Sequence, residues 1–491
     1  MERIGTFNKR IDQAGFRLPS DNPLEIAAKN LVSKVRSFFD GLQTAFNTTQ
    51  ATVPIIQETR EAVSEMIPPW NDNETITSNA PDWETFQNFI KDKETPCLVI
   101  NLENIRKKYK ELETSLMEKA KIYYAVKANP SDEILEQLEN LGSNFDIASR
   151  RELDQVLNTG ASPDRISFGN TIKKEKDIKY AYKKGVRLFV CDSFEDLEKL
   201  SRQAPGSKVF FRLLVEGADT ADWPLSKKFG ASNEVIHDII IKANELNLIP
   251  HGLSFHVGSQ QKDLHQWDKA IDLCVDLMKD LKENHEIELK LLNLGGGFPA
   301  YYNDENPSVE SYCVNIMRKL FSHFGASLPE IIVEPGRSLV GDSGIIVSEV
   351  VMVSKKSKDK KDPRWVYLDV GKFNGLPETM TAPGSNKECI KYQIFTDKNG
   401  EESPVILAGP TCDSMDTLYE YDKIKLPNDI KSGDKVYIPS TGAYTASYSS
   451  IDFNGLPPLS THTIPLPTGK TQTLIWKKYW NVASYIFNSF N

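Results

Sequence analysis

The chain has 491 residues, 40% of them hydrophobic and 26% charged, with 59 Lys plus Arg against 68 Asp plus Glu and a formal net charge of -9. That length and composition suit an ordinary globular protein of two or three domains, with room for one large barrel. A mildly acidic balance gives no general attraction to nucleic acid or to an anionic membrane surface, and lysine pairs such as Lys360 with Lys361 read as solvated loops.

The N-terminal stretch reads as helical. Asn22, Pro23 and Glu25 make a helix start, and Leu24, Ala28, Leu31, Val35, Phe38 and Leu42 then recur at spacings of four and three, giving an amphipathic helix with a narrow apolar stripe. A second helix is predicted from about Val53 to Met66, before Pro68 and Pro69 stop it, and 71–81 reads as a polar linker. The stripe fits docking on the chain's own core better than contact with a membrane or partner. The start of the chain lacks a basic n-region with an apolar run, and no stretch offers 18 consecutive apolar residues, so secretion and membrane spanning are not expected.

From about Cys97 short β-type runs alternate with helix-period stretches. Eight runs stand out, beginning at Lys121, Asn144, Arg165, Arg187, Lys208, Gly252, Leu289 and Ile331. Between them lie segments such as SDEILEQLENLG and VIHDIIIKANELNL, the alternation expected of parallel strands joined by crossover helices. Eight units over roughly 250 residues match a (β/α)8 barrel, with a doubly wound sheet as the rival. After about Gly344 the runs GIIVSEVVMVSKK, RWVYLDV, SPVILAGP and DKVYIPS, rich in β-branched and aromatic residues, predict a β domain. The tail carries Trp476, Tyr479, Trp480, Tyr485, Phe487 and Phe490 around Lys477 and Lys478 and is too short to span a membrane, so it is expected to pack on the protein.

The cysteines (Cys97, Cys191, Cys274, Cys313, Cys389 and Cys412) show no close pairs, which points to a reduced, cytosolic setting rather than a disulfide framework. No HxH, HExxH or CxxC spacing appears, so a catalytic metal is not expected, and the absence of GxGxxG and GxSxG weighs against dinucleotide and hydrolase chemistry.

In a barrel the strand C-termini converge on one face. The predicted strand ends supply Lys127, Asp146, Asn170, Arg212, His256 with Ser259, the triplet Gly295 to Gly297, and Glu334 with Arg337. Lys127 lies in an apolar strand, where it fits either a neutral nucleophile suited to a Schiff base or a lysine whose stem is buried and whose head reaches solvent. The glycine triplet fits either a phosphate cradle or a simple turn. Glu334 fits a carboxylate set against a pyridinium nitrogen, or a structural ion pair. His256 fits a residue stacked on a cofactor ring or a satisfied core histidine. Cys412 in GPTCDSMD fits either a small buried hydrophobe or a thiol that returns a proton to carbon.

Taken together, the segments YAVKANP, FDIASRREL, ADWPLSKKFG, SFHVGS, NLGGGFPA, VEPGRSLVG, GPTCDSMD and GAYTAS resemble the fold type III pyridoxal-phosphate decarboxylases, nearest to the ornithine decarboxylases, over about residues 82 to 465. The resemblance implies an α/β fold: a TIM-like (β/α)8 barrel over 98–344 and a β-rich C-terminal domain made of 81–97 plus 345–465, while the helical N-terminal extension over 1–80 and the aromatic tail over 466–491 have no counterpart in the family. It also implies a homodimer with shared active sites, and the cytoplasm is the expected setting. Carried over residue by residue, Lys127 is similar to the lysine that holds pyridoxal 5'-phosphate as an internal aldimine, Glu334 to the partner of the pyridine nitrogen and His256 to the residue stacked on the ring. Ser259, Gly295, Gly296, Gly297, Arg337 and Tyr444 match positions around the phosphate, and Asp146 and Arg212 match pocket positions near the cofactor. Cys412 matches the proton donor and Asp413 a residue that binds the distal amino group, both donated by the other subunit.

The activity so implied is decarboxylation of ornithine to putrescine. Asp413 and Asp416 offer an anionic end suited to a small basic amino acid, and Glu378 is expected as a second carboxylate for its distal ammonium. Phe453 is expected to line the substrate pocket. Lysine, arginine or diaminopimelate decarboxylases are the alternatives within the family, and a non-catalytic regulatory homologue the alternative outside enzymes.

Overall fold

The computed structural model describes residues 83–464, except 216–219, 224–227, 303–305, 360 and 381–389. The helices expected within 24–66, Cys389 and the aromatic tail lie outside the described residues.

Helix α1 (Trp83–Ile90) and strand β1 (Cys97–Asn101) come first, followed by α2 (Leu102–Ser115). Asn101 caps α2, its Oδ1 accepting from the backbone N–H groups of Glu103 and Asn104 at 3.0 and 3.3 Å. Those amides have no helical carbonyl to reach, which is why a short polar side chain starts the helix. The chain then runs through β2 (Ala120–Ala125), α3 (Asp132–Asn140), β3 (Asn144–Ile147), α4 (Arg150–Asn158), β4 (Ile166–Phe168), α5 (Glu175–Lys183), β5 (Leu188–Cys191), α6 (Phe194–Gln203) and β6 (Lys208–Arg212). Next come β7 (Ala221–Trp223), α7 (Asn233–Glu245), β8 (Ile249–Ser254), β9 (Ser259–Gln261), α8 (Gln266–His285), β10 (Leu291–Asn293), α9 (Val309–Phe324), β11 (Glu330–Val333) and α10 (Arg337–Val340).

Eight of these strands close into a parallel barrel in the order β10-β11-β2-β3-β4-β5-β6-β8, and they are the eight runs read from the sequence. Strands β7 and β9 form a separate antiparallel ribbon. The barrel strands read as near-continuous apolar runs because both faces are buried. Tyr123, Val190, Phe210, Leu291 and Ile332 form a packed layer of their own. Their chain neighbours, such as Tyr124, Phe189, Phe211, Leu292 and Val333, point the other way, into the larger core beneath the helices. Side chains alternate along a strand, so the residue two places on from an inward apolar one points inward again, nearer the strand end. That step leads from Phe210 to Arg212, from Leu291 to Asn293 and from Ile332 to Glu334.

The C-terminal part is a nine-stranded sheet built from β12 (Gly344–Ser354), β13 (Arg364–Leu368), β14 (Phe395–Thr396), β15 (Glu402–Ala408), β16 (Thr417–Leu418), β17 (Ile424–Pro427), β18 (Lys435–Pro439), β19 (Ser460–Ile464) and the early strand β1. Strand β1 lies antiparallel to β12 and parallel to β19, so the sheet takes in residues up to Asn101, four beyond the boundary expected from the sequence. Leu98 and Ile100 face the main core. Cys97 and Val99 pack with Phe86 and Ile90 of α1 on the other face.

Polar contacts join the C-terminal domain to the barrel close to the strand ends. Asn129 Nδ2 donates to the Gly442 carbonyl at 2.8 Å, and the Tyr444 N–H donates to the Ala128 carbonyl at 2.9 Å.

Candidate active site

At the C-terminal ends of the barrel strands lies a cavity of about 650 Å³, counted to its open mouth. Its lining includes Lys127, Asp146, Arg212, His256, Ser259, Gly296, Gly297, Glu334, Arg337 and Tyr444. Val190 and Phe210 of the inward apolar layer also line it.

Lys127 sits in a 3-10 turn, Val126–Ala128, immediately after β2. Its side chain is open to the cavity but surrounded by protein. Burial disfavours its charge, yet Tyr444, Asp146 and Glu334 outweigh that and hold its pKa above the ordinary lysine value. The sequence reading of a neutral lysine is therefore not met in this pocket as it stands: the amine is a cation among acidic neighbours.

Asp146 ends β3, is buried, and accepts from Ser167 Oγ at 2.9 Å. Burial, and then the nearby Glu334, push its carboxyl well above the usual range. The approach to its neighbour is so close that a Cβ on Gly169 would stand 1.9 Å from Asp146 Oδ1, so only glycine fits at 169. Arg212 lies 5.0 Å above the Phe229 ring, and burial lowers its pKa against the pull of Glu334, Asp192 and Asp146. It remains a guanidinium.

His256 follows β8. Burial, and then Arg212 and Lys127, lower its pKa to about 3, so the ring is neutral. Its Nδ1 is buried with no hydrogen-bond partner in the protein. Glu334 is held by Asn293, whose Nδ2 donates to Glu334 Oε1 at 2.5 Å while its Oδ1 accepts from the Gly295 N–H at 2.9 Å. Asn293 thus ties the carboxylate to the glycine triplet. Gly295 has φ +65°, and a Cβ there would lie 2.2 Å from the Phe255 carbonyl oxygen, which explains the glycine.

Arg337 lines the same cavity as Ser259 and Tyr444, with its guanidinium already paired. Its Nη1 and Nη2 donate to Glu378 Oε2 and Oε1, both at 2.6 Å, Nη1 also donates to Tyr302 Oη at 2.6 Å, and Nε donates to Ser259 Oγ at 3.2 Å. Its carbon Cζ lies 4.6 Å from the centroid of the Tyr444 ring. Glu378, expected to meet a substrate ammonium, has both oxygens committed to Arg337 and is 3% exposed. Asp416 is likewise structural rather than a free anionic end. It is 2% exposed, and its carboxylate accepts from the Lys372 N–H and from Thr411.

Cys412 and Asp413 do not line this cavity; both are exposed, with the Cys412 N–H donating to Asn454 Oδ1 at 2.8 Å. Phe453, 37% exposed, packs on Phe373 at 4.8 Å between centroids and stands with these two rather than in the cavity. Sequence reasoning missed Asn293, Ser167, Gly169 and Tyr302. Asn293 carried a signal, since it stands two residues beyond an inward leucine and two before Gly295. Nothing in the sequence pointed to Tyr302.

A cavity that offers a lysine, a carboxylate fixed by an asparagine, a neutral histidine with an unpartnered Nδ1, a glycine triplet and a buried arginine beside a serine fits a phosphorylated pyridine aldehyde. The class is therefore that of a barrel enzyme built around pyridoxal phosphate. Residues 102–341 match the family model described as "Pyridoxal-dependent decarboxylase, pyridoxal binding domain". The chain is 30% identical over 366 residues to the lysine/ornithine decarboxylase of Selenomonas ruminantium, covering 74% of this chain and 87% of that one. It is 33% identical over 359 residues to the ornithine decarboxylase of Saccharomyces cerevisiae, covering 68% and 73%. Crystal structures of a lysine/ornithine decarboxylase from Vibrio vulnificus, complexed with cadaverine and with putrescine, superpose with TM-score 0.69 at 29% identity, covering 78% of this chain and 98% of theirs. The chain belongs to the fold type III pyridoxal-phosphate-dependent decarboxylases and is an amino-acid decarboxylase. Among the described residues no helix is long and apolar enough to cross a membrane.

Proposed function

We propose that the protein decarboxylates L-ornithine to putrescine and carbon dioxide. The observation that supports this most is the convergence of Lys127, Glu334 with Asn293, and His256 in one cavity at the barrel strand ends. When bound, pyridoxal phosphate supplies the electron sink that lets the carboxylate carbon leave as carbon dioxide. Lys127 would hold the cofactor, Glu334, fixed by Asn293, would keep a proton on its ring nitrogen, and the neutral His256 would pack against its ring. Ser259, Gly295 to Gly297 and Tyr444 bound the phosphate end, with Arg337 acting through Ser259 rather than as an uncommitted cation. Tyr444, Asp146 and Glu334 favour the charge on the amine of Lys127, and Arg212 opposes it.

The proton that replaces carbon dioxide comes from Cys412, and Asp413 meets the distal ammonium, each reaching the cavity from the partner subunit of a homodimer. In support, both are exposed, and the Cys412 N–H is bonded to Asn454, beside the exposed Phe453; Met415, close in the chain, is exposed as well. Exposed apolar side chains beside such groups suit an interaction site. A reducing, cytoplasmic setting accords with the free thiols of Cys97, Cys191, Cys274, Cys313 and Cys412.

Lysine is the second reading, favoured by the relative that acts on both amino acids and by the cadaverine complex. One methylene in a pocket is worth only about 1–3 kcal/mol. The test is kcat/KM for ornithine, lysine, arginine and diaminopimelate on the purified holoenzyme. Ornithine should lead, with lysine within about 10- to 200-fold, whereas diaminopimelate or arginine leading overturns the assignment. Mixing inactive Lys127→Ala and Cys412→Ala proteins should restore about one quarter of wild-type activity, since random pairing of symmetric subunits leaves that share of sites whole. No recovery on mixing overturns the shared site.

A further inference from the structure

On the outside of the barrel, His237 of α7 faces the end of α8. Its Nε2 lies 3.1 Å from His285 Nε2 and 3.3 Å from Asp280 Oδ2. The three ligand atoms all lie within 4.8 Å of one another. Two further contacts aim them. Asp238 Oδ1 stands 3.4 Å from His237 Nδ1, and Asn284 Nδ2 donates to Asp280 Oδ1 at 2.7 Å, leaving Oδ2 toward the histidines.

Protons alone serve this arrangement poorly. When Nδ1–H of His237 donates to Asp238, its Nε2 lone pair can accept from His285 Nε2–H but meets the Asp280 carboxylate oxygen with no proton between them. When the proton is on Nε2, it reaches one of the two neighbours and leaves the other unserved. A divalent cation at the centre satisfies all three. Ligands about 2.0–2.1 Å from a tetrahedral zinc ion stand about 3.3 Å apart, close to the two separations found. A carboxylate on the far nitrogen of a ligating histidine is the usual outer support of such a site. Two imidazoles and one carboxylate suit zinc and its neighbours in the first transition row rather than calcium or magnesium.

We propose that His237, Asp280 and His285 form a surface site for a divalent transition metal of the zinc type, water completing its coordination, that clamps α7 to the C-terminus of α8. These helices flank β8, the strand that leads to His256. The site is separate from the cavity, so it serves stability rather than decarboxylation. His237 stands 43 positions from Asp280 and 48 from His285 in the chain, which is why no short metal motif announces the site.

The test uses the untagged holoenzyme stripped of metal by a chelator and titrated with Co2+, read by its visible d–d absorption and displaced by Zn2+. One equivalent should bind at micromolar concentration in the wild type and in Cys412→Ala, and none in His237→Ala or His285→Ala. Asp238→Asn should weaken binding about 10- to 100-fold. Zn2+ should raise the Tm of the wild type and leave that of His285→Ala unmoved, while kcat stays the same with and without metal. His285 is exposed, so its replacement reads the site without threatening the fold. Absence of a Co2+ signal in the wild type, or a signal that persists in the histidine variants, overturns the proposal.

Discussion

Arg337 and Glu378 form a buried two-pronged ion pair between the first turn after the barrel and the loop that follows β13, each side chain 4% exposed. Removing one member of such a pair leaves an uncompensated charge out of water, at a cost of about 3–5 kcal/mol. Glu378→Gln should therefore lower the urea midpoint and the Tm sharply. A residue that merely touched substrate would instead raise KM with the Tm unmoved, and that result would restore Glu378 to the substrate pocket.

His256 gives the apoprotein a pH dependence of known sign. Its folded-state pKa, about 3, lies below the ordinary value of 6.5, so the unfolded chain takes up the proton first as pH falls. The contribution is whole above about pH 6.5 and declines from there down to about pH 3. Between pH 6.5 and 5 about 1–2 kcal/mol should be lost, allowing for the partial access of the ring to the cavity. Chemical denaturation of the apoprotein at the two pH values measures this, and His256→Gln should flatten the difference.

Asp146 carries the opposite sign. A buried carboxyl held well above its ordinary range by desolvation and by Glu334 opposes folding more as pH rises through the folded value. Asp146→Asn keeps an oxygen for the Ser167 hydroxyl and removes the charge. It should raise the Tm of the apoprotein at neutral pH while lowering kcat of the holoenzyme, because Lys127 loses a counter-charge. A lower Tm would show that the carboxylate stabilises the site.

Asn293 is expected to act as a positioning residue. A hydrogen bond to a charged group is worth about 1.5–3 kcal/mol, so Asn293→Ala should cost about 10- to 100-fold in kcat, with a smaller change in KM. It should also shift the absorption band of the bound cofactor, because the Glu334 carboxylate is no longer held. An unchanged band and unchanged kcat would sever Asn293 from the chemistry.

The barrel was legible because buried parallel strands must be apolar on both faces, so YAVKAN, KVFFR and LKLLN announce themselves. The ring of polar residues at their ends was legible for the complementary reason: Arg212 and Glu334 interrupt those apolar runs at one depth. Pairing among them was not. Nothing in the order of residues says that Arg337 turns to Glu378 rather than outward, since that choice depends on how the loop after β13 lies over α10. The same holds for Asp416, whose neighbours Gly371 and Gly409 come so close that a Cβ on either would strike its carboxylate at 2.2 or 2.3 Å. The two expectations share a physical flaw: each assigned a carboxylate to an external ligand when folding had already supplied it with internal donors.

The bond from the Tyr444 N–H to the Ala128 carbonyl falls on the residue next to Lys127, and the Asn129 amide is fastened to Gly442 one step further on. The turn that carries Lys127 is thus tied to both lobes at once, and opening them like a clamshell would break these two links first.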